Sequence, residues 1–171
     1  QDIVDARGRA TALQADLADV NALSPLMERA RAEIGPLTAL INNASLFAND
    51  DLESLTPDSW SSHMDTNLRA PLFLAQAFAK QLPKSNSGNI INIIDQRVWR
   101  LTPRFLSNDR QSNADFQAQV ASTPLQRQIS TEEIRAAVRF ILASPAMTGQ
   151  MIALDSGQHL AWETPDAVGP E

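Results

Sequence analysis

The sequence contains neither cysteine nor tyrosine among its 171 residues. Without cysteine, the chain can form no disulfide, no thiolate metal site and no thiol nucleophile. Without tyrosine, it has no phenol that could transfer a proton in catalysis. If the protein is an enzyme, either its proton-transferring partner is unusual or further residues of the protein carry it.

Glycine, basic residues and long apolar runs are also scarce. None of the 6 glycines belongs to a GxGxxG motif, so these residues contain no Gly-rich dinucleotide turn. A net charge of −6 argues against a nucleic-acid-binding surface, because phosphate neutralisation requires clustered Lys and Arg. No apolar run approaches the ~20 residues that cross a bilayer, and the N-terminal QDIVDARGRA lacks the apolar core of a signal peptide. We therefore expect no nucleic-acid partner, no membrane partner and a cytoplasmic location.

The remaining pattern alternates short apolar runs with amphipathic segments. Residues 9–17, 37–41, 89–94 and 150–154 read as strands, and the segments between them carry apolar residues at helical spacing. The helix boundaries have recognisable signals: Asp19, Thr56 with Pro57, and the Ser130–Glu133 capping box at starts, and Gly35 at an end. Strands that are apolar on both faces indicate a parallel sheet covered by helices. The predicted fold class is α/β, a doubly wound, Rossmann-like parallel sheet in three layers, within a single domain over residues 1–171.

Asn67 and Pro71 form an informative pair in the long central helix. Proline has no N–H, so it cannot donate to the carbonyl four residues earlier, which belongs to Asn67. Another group must satisfy that carbonyl, unless the proline only produces a kink that serves packing.

Six motifs occur together in one order along the chain. They are Asp16-Leu17, LINNAS at 40–45, MDTNLRAP at 64–71, GNIINIID at 88–95, TPLQR at 123–127 and TGQMIALDSG at 148–157. In this order they resemble the short-chain dehydrogenases/reductases over most of the chain. The first strand, the Gly-rich loop and the Tyr-x-x-x-Lys helix of that family have no counterpart here. We therefore expect further residues before Gln1 and between Ser107 and Asn108.

The resemblance implies roles for several residues. Asp16 would hydrogen-bond the adenine of a nicotinamide cofactor, with Leu17 beside it, although Asp16 could instead only cap a helix. The turn formed by Asn42, Asn43 and Ala44 would touch a ribose, or serve only as a turn. In the family, the residue matching Asn67 binds a water in a proton relay, which makes Asn67 a candidate catalytic residue.

Two further residues favour one branch of the family. Asp95 stands where the commonest pattern has serine, and an ionised carboxylate only accepts hydrogen bonds. The pteridine reductases have Asp there, and they follow Asn-Asn-Ala-Ser with an aromatic residue that stacks on the pterin. Here Phe47 matches the stacking residue and Ser45 the adjoining contact to cofactor and ligand, although a lone Phe beside a strand is often a core residue. Asp95 is thus both a catalytic and a substrate-binding candidate.

Three functional hypotheses follow. The first is a reductase of pteridine-like heterocycles, and the second is a generic short-chain oxidoreductase of a carbonyl or alcohol. The third is a non-catalytic binding protein with the same fold. For both enzymes we expect NADP(H) rather than NAD(H) as cofactor, a small-molecule substrate and no metal. The resemblance also implies a homo-oligomer, a dimer or a tetramer, built on the long helix from about residue 57 and on the last helix with its strand.

Overall fold

The computed structural model describes residues 2–5, 7–46, 53–94 and 113–160. These residues fall into two compact units, Gln1–Pro103 and Arg104–Glu171. Phe47, Asp95 and the junction between Ser107 and Asn108 lie outside the described residues. The expectations that concern them therefore stay predictions.

The first unit is a β-α-β arrangement preceded by two helices. Its elements are α1 (Asp2–Asp5), α2 (Val20–Ile34), β1 (Ala39–Asn42), α3 (Pro57–Met64), a π-helical turn (Asp65–Arg69), α4 (Ala70–Gln81) and β2 (Asn89–Asn92). β1 and β2 pair in parallel, with Asn42 opposite Asn92 at their carboxyl ends. The parallel pair and its helical crossover confirm the predicted α/β class.

The local helix signals are confirmed by the hydrogen bonds of the structure. Asp19 accepts from the Asn21 N–H at the start of α2. Thr56 caps α3, and Pro57 occupies its first turn. Gly35 ends α2 with a φ of 92°, a left-handed value that a side chain would strain.

Two of the predicted strands are wrong. Residues 9–17 and 150–154 have no strand assignment, and the ladder among the described residues joins β1 to β2. A strand exists only where a neighbouring strand completes its backbone hydrogen bonds, and apolar composition does not supply that neighbour. Met151 accordingly lies 91% exposed, although its sequence context suggested a buried strand.

The core of the first unit lies between α2 and α4. It contains Leu23 and Met27 from α2, and Ala70, Leu74 and Phe78 from α4. The last three recur every four residues, so they form one face of their helix. Gly88 precedes β2 where a Cβ would come 3.0 Å from the Phe78 ring, so glycine lets the chain approach the core there.

The second unit contains α5 (Asn113–Ser122), α6 (Thr131–Leu142) and a short 3₁₀ helix (Gln158–Leu160). Ser130 and Glu133 form the predicted capping box at the start of α6, and Arg127 pairs with Glu133 through two hydrogen bonds. Hydrogen bonds from Arg127 and from Ser130 lower the pKa of Glu133 from 4.5 to about 2. Buried Ser156 donates its hydroxyl to the Arg127 carbonyl at 2.7 Å. In the part of the chain that the structure describes, no helix is both long and apolar enough to span a bilayer.

The core assignment predicts different costs for two phenylalanines on α4. Phe78 is 2% exposed and Phe73 is 40% exposed. Phe78→Ala removes a buried ring and leaves a cavity, so the free energy of unfolding should fall by about 3–5 kcal/mol. The matched control Phe73→Ala should cost about 1 kcal/mol or less. Urea unfolding of both variants tests this, and similar losses for the two would contradict the assignment.

Candidate functional site

A cleft of about 460 Å³ opens beside the carboxyl ends of β1 and β2. In open α/β sheets, ligands bind at this end of parallel strands. The residues that line it carry amide, hydroxyl or apolar side chains: Asn42, Asn43, Ala44, Ser45, Asn67, Leu68, Pro71, Leu72, Ala75, Asn92, Ile93 and Ile94. The structure thus brings together five of the predicted site residues, Asn42 to Ser45 and Asn67.

The two strand ends are tied together by their asparagines. Asn42 donates from Nδ2 to Oδ1 of Asn92 at 2.8 Å, and the Ile93 N–H donates to the Asn42 carbonyl at 2.9 Å. The Asn42 side chain is therefore engaged within the protein and fixes the edge of the cleft. Sequence reasoning missed Asn92. Its one signal was a polar residue inside the apolar run NIINII.

Asn67 holds the loop that follows β1. Its Oδ1 accepts from the Leu46 N–H and its Nδ2 donates to the Leu46 carbonyl, each at 2.8 Å. One side-chain amide thus satisfies both backbone groups of a residue that belongs to no helix or strand. This clamp fixes the loop segment that carries Ser45.

The main chain of Asn67 lies in the π-helical turn. At the end of that turn, the Ala70 N–H donates to the Asp65 carbonyl, five residues back. Pro71 follows and has no N–H, so the donor that an α-helix would bring to the Asn67 carbonyl is absent. The sequence predicted that the Asn67 carbonyl lacks its α-helical donor. At this position the structure has a π-helical turn in place of a regular α-helix.

Asp16 and Leu17 are not among the residues that line the cleft. Asp16 accepts from the Ala18 N–H at 2.9 Å, in a turn that leads into the N-cap of α2, and Leu17 packs against the core. Asp16 is exposed at this turn. The structure therefore places these two residues apart from the cleft-lining group.

The described residues that line the cleft can bind a ligand through hydrogen bonds, but they include no side chain that transfers protons near neutral pH. Asn, Ser and backbone groups donate and accept hydrogen bonds without titrating near neutral pH. Within the described ranges, no three His, Cys, Asp or Glu side chains cluster as metal ligands would. An acid or base for this cleft must come from other residues, and Asp95 follows the cleft-lining Ile94 directly in sequence.

Comparison with protein families and curated sequences finds similarity concentrated in the first half of the chain. A short chain dehydrogenase family profile matches residues 1–96. A 2-dehydro-3-deoxy-D-gluconate 5-dehydrogenase of Escherichia coli is 37% identical over 86 residues, which are 50% of this chain and 34% of that protein. A 3-oxoacyl-[acyl-carrier-protein] reductase of Synechocystis is 23% identical over 194 residues, with 91% of this chain and 78% of that protein covered. The chain spans about a third of the length of several curated relatives that it matches.

Solved structures match more of the chain. A structure described as FolM alternative dihydrofolate reductase 1 from Brucella canis, complexed with NADP, superposes with a TM-score of 0.85 at 38% identity. It covers 96% of this chain, which in turn covers 79% of that structure. A blue fluorescent protein from a metagenomic library, in complex with NADPH, has a TM-score of 0.76 at 24% identity, over 91% of this chain and 78% of its own. At that identity, the second likeness shows the fold alone.

The Asn67 clamp predicts a change in backbone protection at Leu46. Asn67→Ala removes both hydrogen bonds, so the Leu46 amide should exchange its hydrogen roughly 30-fold faster, as expected for the loss of two bonds worth about 1 kcal/mol each. Asn67→Asp should give an intermediate effect, because it keeps the acceptor for the N–H but turns an oxygen towards the Leu46 carbonyl. Asn43→Ala, in the same loop, is the matched control and should leave this rate unchanged. Equal exchange rates at Leu46 in the wild type and in Asn67→Ala would contradict the clamp.

Proposed function

The chain belongs to the short-chain dehydrogenase family, and we propose that it is an NADP(H)-dependent reductase of a pteridine-like heterocycle. The observation that carries the proposal is the likeness to the Brucella FolM structure, whose description names an alternative dihydrofolate reductase and NADP. That likeness extends over 96% of the chain at 38% identity. This likeness agrees with the sequence-based prediction that Asp95, Phe47 and Ser45 distinguish the pteridine reductases from other members of the family.

The residues of the cleft fit a nicotinamide cofactor. Backbone and side-chain groups of Asn43, Ala44 and Ser45 follow β1 at the end of a parallel sheet, where ribose and nicotinamide groups bind in this class of fold. Asn42, held by Asn92, would fix that edge, while Asp16 and Leu17 would contact the adenine. The cofactor supplies the hydride. NADP(H) is favoured over NAD(H) because the two Brucella structures that are 38% identical to this chain are described with NADP.

Two residues outside the described ranges would give substrate specificity. Phe47 directly follows Leu46 in the sequence, and Leu46 is the residue that Asn67 clamps. Its ring would stack on a flat heterocycle. Asp95 directly follows Ile94 and would accept hydrogen bonds from ring N–H groups or pass on a proton. The Asn67 carbonyl, which lacks its α-helical donor, would bind the water of a relay.

A second function, a carbonyl or alcohol oxidoreductase, is favoured by the curated relatives. The E. coli 2-dehydro-3-deoxy-D-gluconate 5-dehydrogenase is 37% identical over half of this chain. A simple carbonyl needs a hydrogen-bond donor at the position of Asp95, and an ionised carboxylate offers none. Residue 95 therefore separates the two functions.

Replacement of Asp95 should distinguish a pteridine reductase from a carbonyl or alcohol oxidoreductase. If the substrate is a pterin, Asp95→Ser should lower turnover of a dihydropterin roughly ten- to a hundred-fold, the effect of one charged hydrogen bond, while the Kd for NADPH changes little. Asp95→Asn is the matched variant, since it keeps the shape and removes the charge. Steady-state assays with dihydrobiopterin and with a sugar-acid ketone provide the measurement. Full pterin activity in Asp95→Ser would contradict the pteridine assignment, and a gain with the ketone would favour the second function.

The proposal needs a proton-transferring Tyr and Lys that these 171 residues do not supply together. We place the Tyr-x-x-x-Lys helix of the family between Ser107 and Asn108. The Synechocystis alignment supports an added segment, because its 194 positions contain only 91% of 171 residues, about 156, of this chain. Roughly 38 positions of that alignment therefore have no residue of this chain.

Peptide mapping can test the inserted segment. Arg104 and Arg110 flank the junction, so trypsin would release the peptide FLSNDR, residues 105–110, if Ser107 is bonded directly to Asn108. We expect mass spectrometry of the natural protein to lack this peptide and to contain a Tyr-x-x-x-Lys sequence instead. The neighbouring peptide that ends at Arg104 serves as the recovery control. Detection of FLSNDR would contradict the insertion and favour the non-catalytic hypothesis.

We also propose that the protein is a homo-oligomer, a dimer or a tetramer. The support is two aromatic side chains on α3 and α4 that do not line the cleft and are 40–45% exposed, Trp60 and Phe73. Exposed apolar side chains on neighbouring helices are a feature of protein interfaces. A cytoplasmic location stays a prediction.

A further inference from the structure

Arg69 connects the π-helical turn to a segment 51 residues earlier. Its Nη2 donates to the Ala18 carbonyl at 2.9 Å in a partly buried hydrogen bond. The same nitrogen lies 2.9 Å from Oδ2 of Asp65, so a carboxylate on its own helix orients the guanidinium. Arg69 therefore reaches the turn before α2 with a directed, charged donor.

Ala18 is held from two sides. Its carbonyl accepts from Arg69, and its N–H donates to Oδ1 of Asp16 at 2.9 Å. The direction of the Asp16 carboxylate thus depends on the position of Ala18. A carboxylate has about four acceptor sites, so this one bond leaves Asp16 able to accept from a ligand.

We propose that Arg69 is a positioning residue for the adenosine half of the dinucleotide, acting through Ala18 on Asp16. The inference rests on the proposed function, in which Asp16 contacts the adenine. The same π-helical turn holds the loop at Leu46 through Asn67, so one short segment fixes both loops that would contact the cofactor. Arg69 sets the position of the first loop and Asn67 that of the second.

A merely structural role for Arg69 predicts a different result. If Arg69 only stabilised the unit, its loss would weaken binding of both halves of the cofactor alike. A positioning role affects the adenosine half selectively. It also loosens residues 16–19 in the protein without cofactor, since the Ala18 carbonyl loses its donor.

The test compares Arg69→Met with Arg69→Lys, which restores a positive donor, and with Arg29→Met as matched control. Arg29 also donates to a backbone carbonyl near this turn, that of Gln14 at 3.3 Å. Calorimetry would use adenosine 2′,5′-bisphosphate as the probe for one half of the cofactor and reduced nicotinamide mononucleotide for the other. Hydrogen exchange of residues 16–19, measured without cofactor, gives a readout independent of activity.

We expect Arg69→Met to weaken adenosine bisphosphate binding about ten-fold and nicotinamide mononucleotide binding less than two-fold. Exchange at residues 16–19 should become faster. Arg69→Lys should recover most of the affinity, and Arg29→Met should resemble the wild type. Equal weakening of both probes, or unchanged adenosine affinity in Arg69→Met, would overturn the inference.

A second variant decides the matter if Arg69→Met does not fold. Asp65→Asn keeps the size of the side chain that orients Arg69 and removes its charge, so it should weaken adenosine bisphosphate binding about three-fold with the same selectivity. An unselective or absent effect in Asp65→Asn would then overturn the inference. A wild-type protein that binds neither NADPH nor NADH would instead refute the proposed function, which keeps the two failures distinct.

Discussion

The missing N–H of Pro71 is the constraint on which the site depends. A regular α-helix through residues 57–81 would bring a donor from position 71 to the Asn67 carbonyl, and proline cannot provide it. The helix instead contains a π-helical turn over Asp65–Arg69, closed by the Ala70 N–H on the Asp65 carbonyl. π-Helical turns of this kind occur frequently at functional sites. Here the turn contains both residues that hold distant loops, Asn67 and Arg69.

The core fixes this turn from its C-terminal side. Ala70 is fully buried directly after the turn, and Leu74 and Phe78 continue the buried face of α4 against α2. The same α2 begins just after the turn that Arg69 contacts. The π-helical turn is therefore followed by the packed helix α4, and its own side chains Asn67 and Arg69 bond to two loops. That arrangement allows a break in the helical hydrogen-bond pattern to persist in a defined geometry.

Signals read from neighbouring residues proved reliable. The caps at Asp19, Thr56 and Ser130 and the break at Gly35 are decided within a few residues, so the sequence predicted them correctly. Pro71 belongs to the same class, because its effect on Asn67 is local. The general α/β class followed from the alternation of apolar runs and amphipathic helices.

Contacts between residues far apart in the chain could not be predicted from the sequence. Residues 9–17 and 150–154 looked like strands, yet a strand depends on a partner that composition does not identify. The Asn42–Asn92 pair spans 50 residues and the Arg69–Ala18 bond 51, and no local pattern indicates either. The resemblance to the family supplied candidate residues, while the contacts of the structure assign their side chains to particular partners.

Those contacts change how the asparagines of the cleft should be understood. Side-chain amides of Asn42 and Asn67 are engaged by Asn92 and by the Leu46 backbone, so they shape the cleft rather than only line it. In the proposed function, selectivity for a heterocycle would come from Phe47, one residue after Leu46 in the sequence, and from Asp95, three residues after Asn92. A substitution at Asn67 would release the backbone of Leu46, whereas a substitution at Asp95 would change one contact to the proposed substrate. The framework residues should therefore tolerate less variation than the residue that selects the substrate.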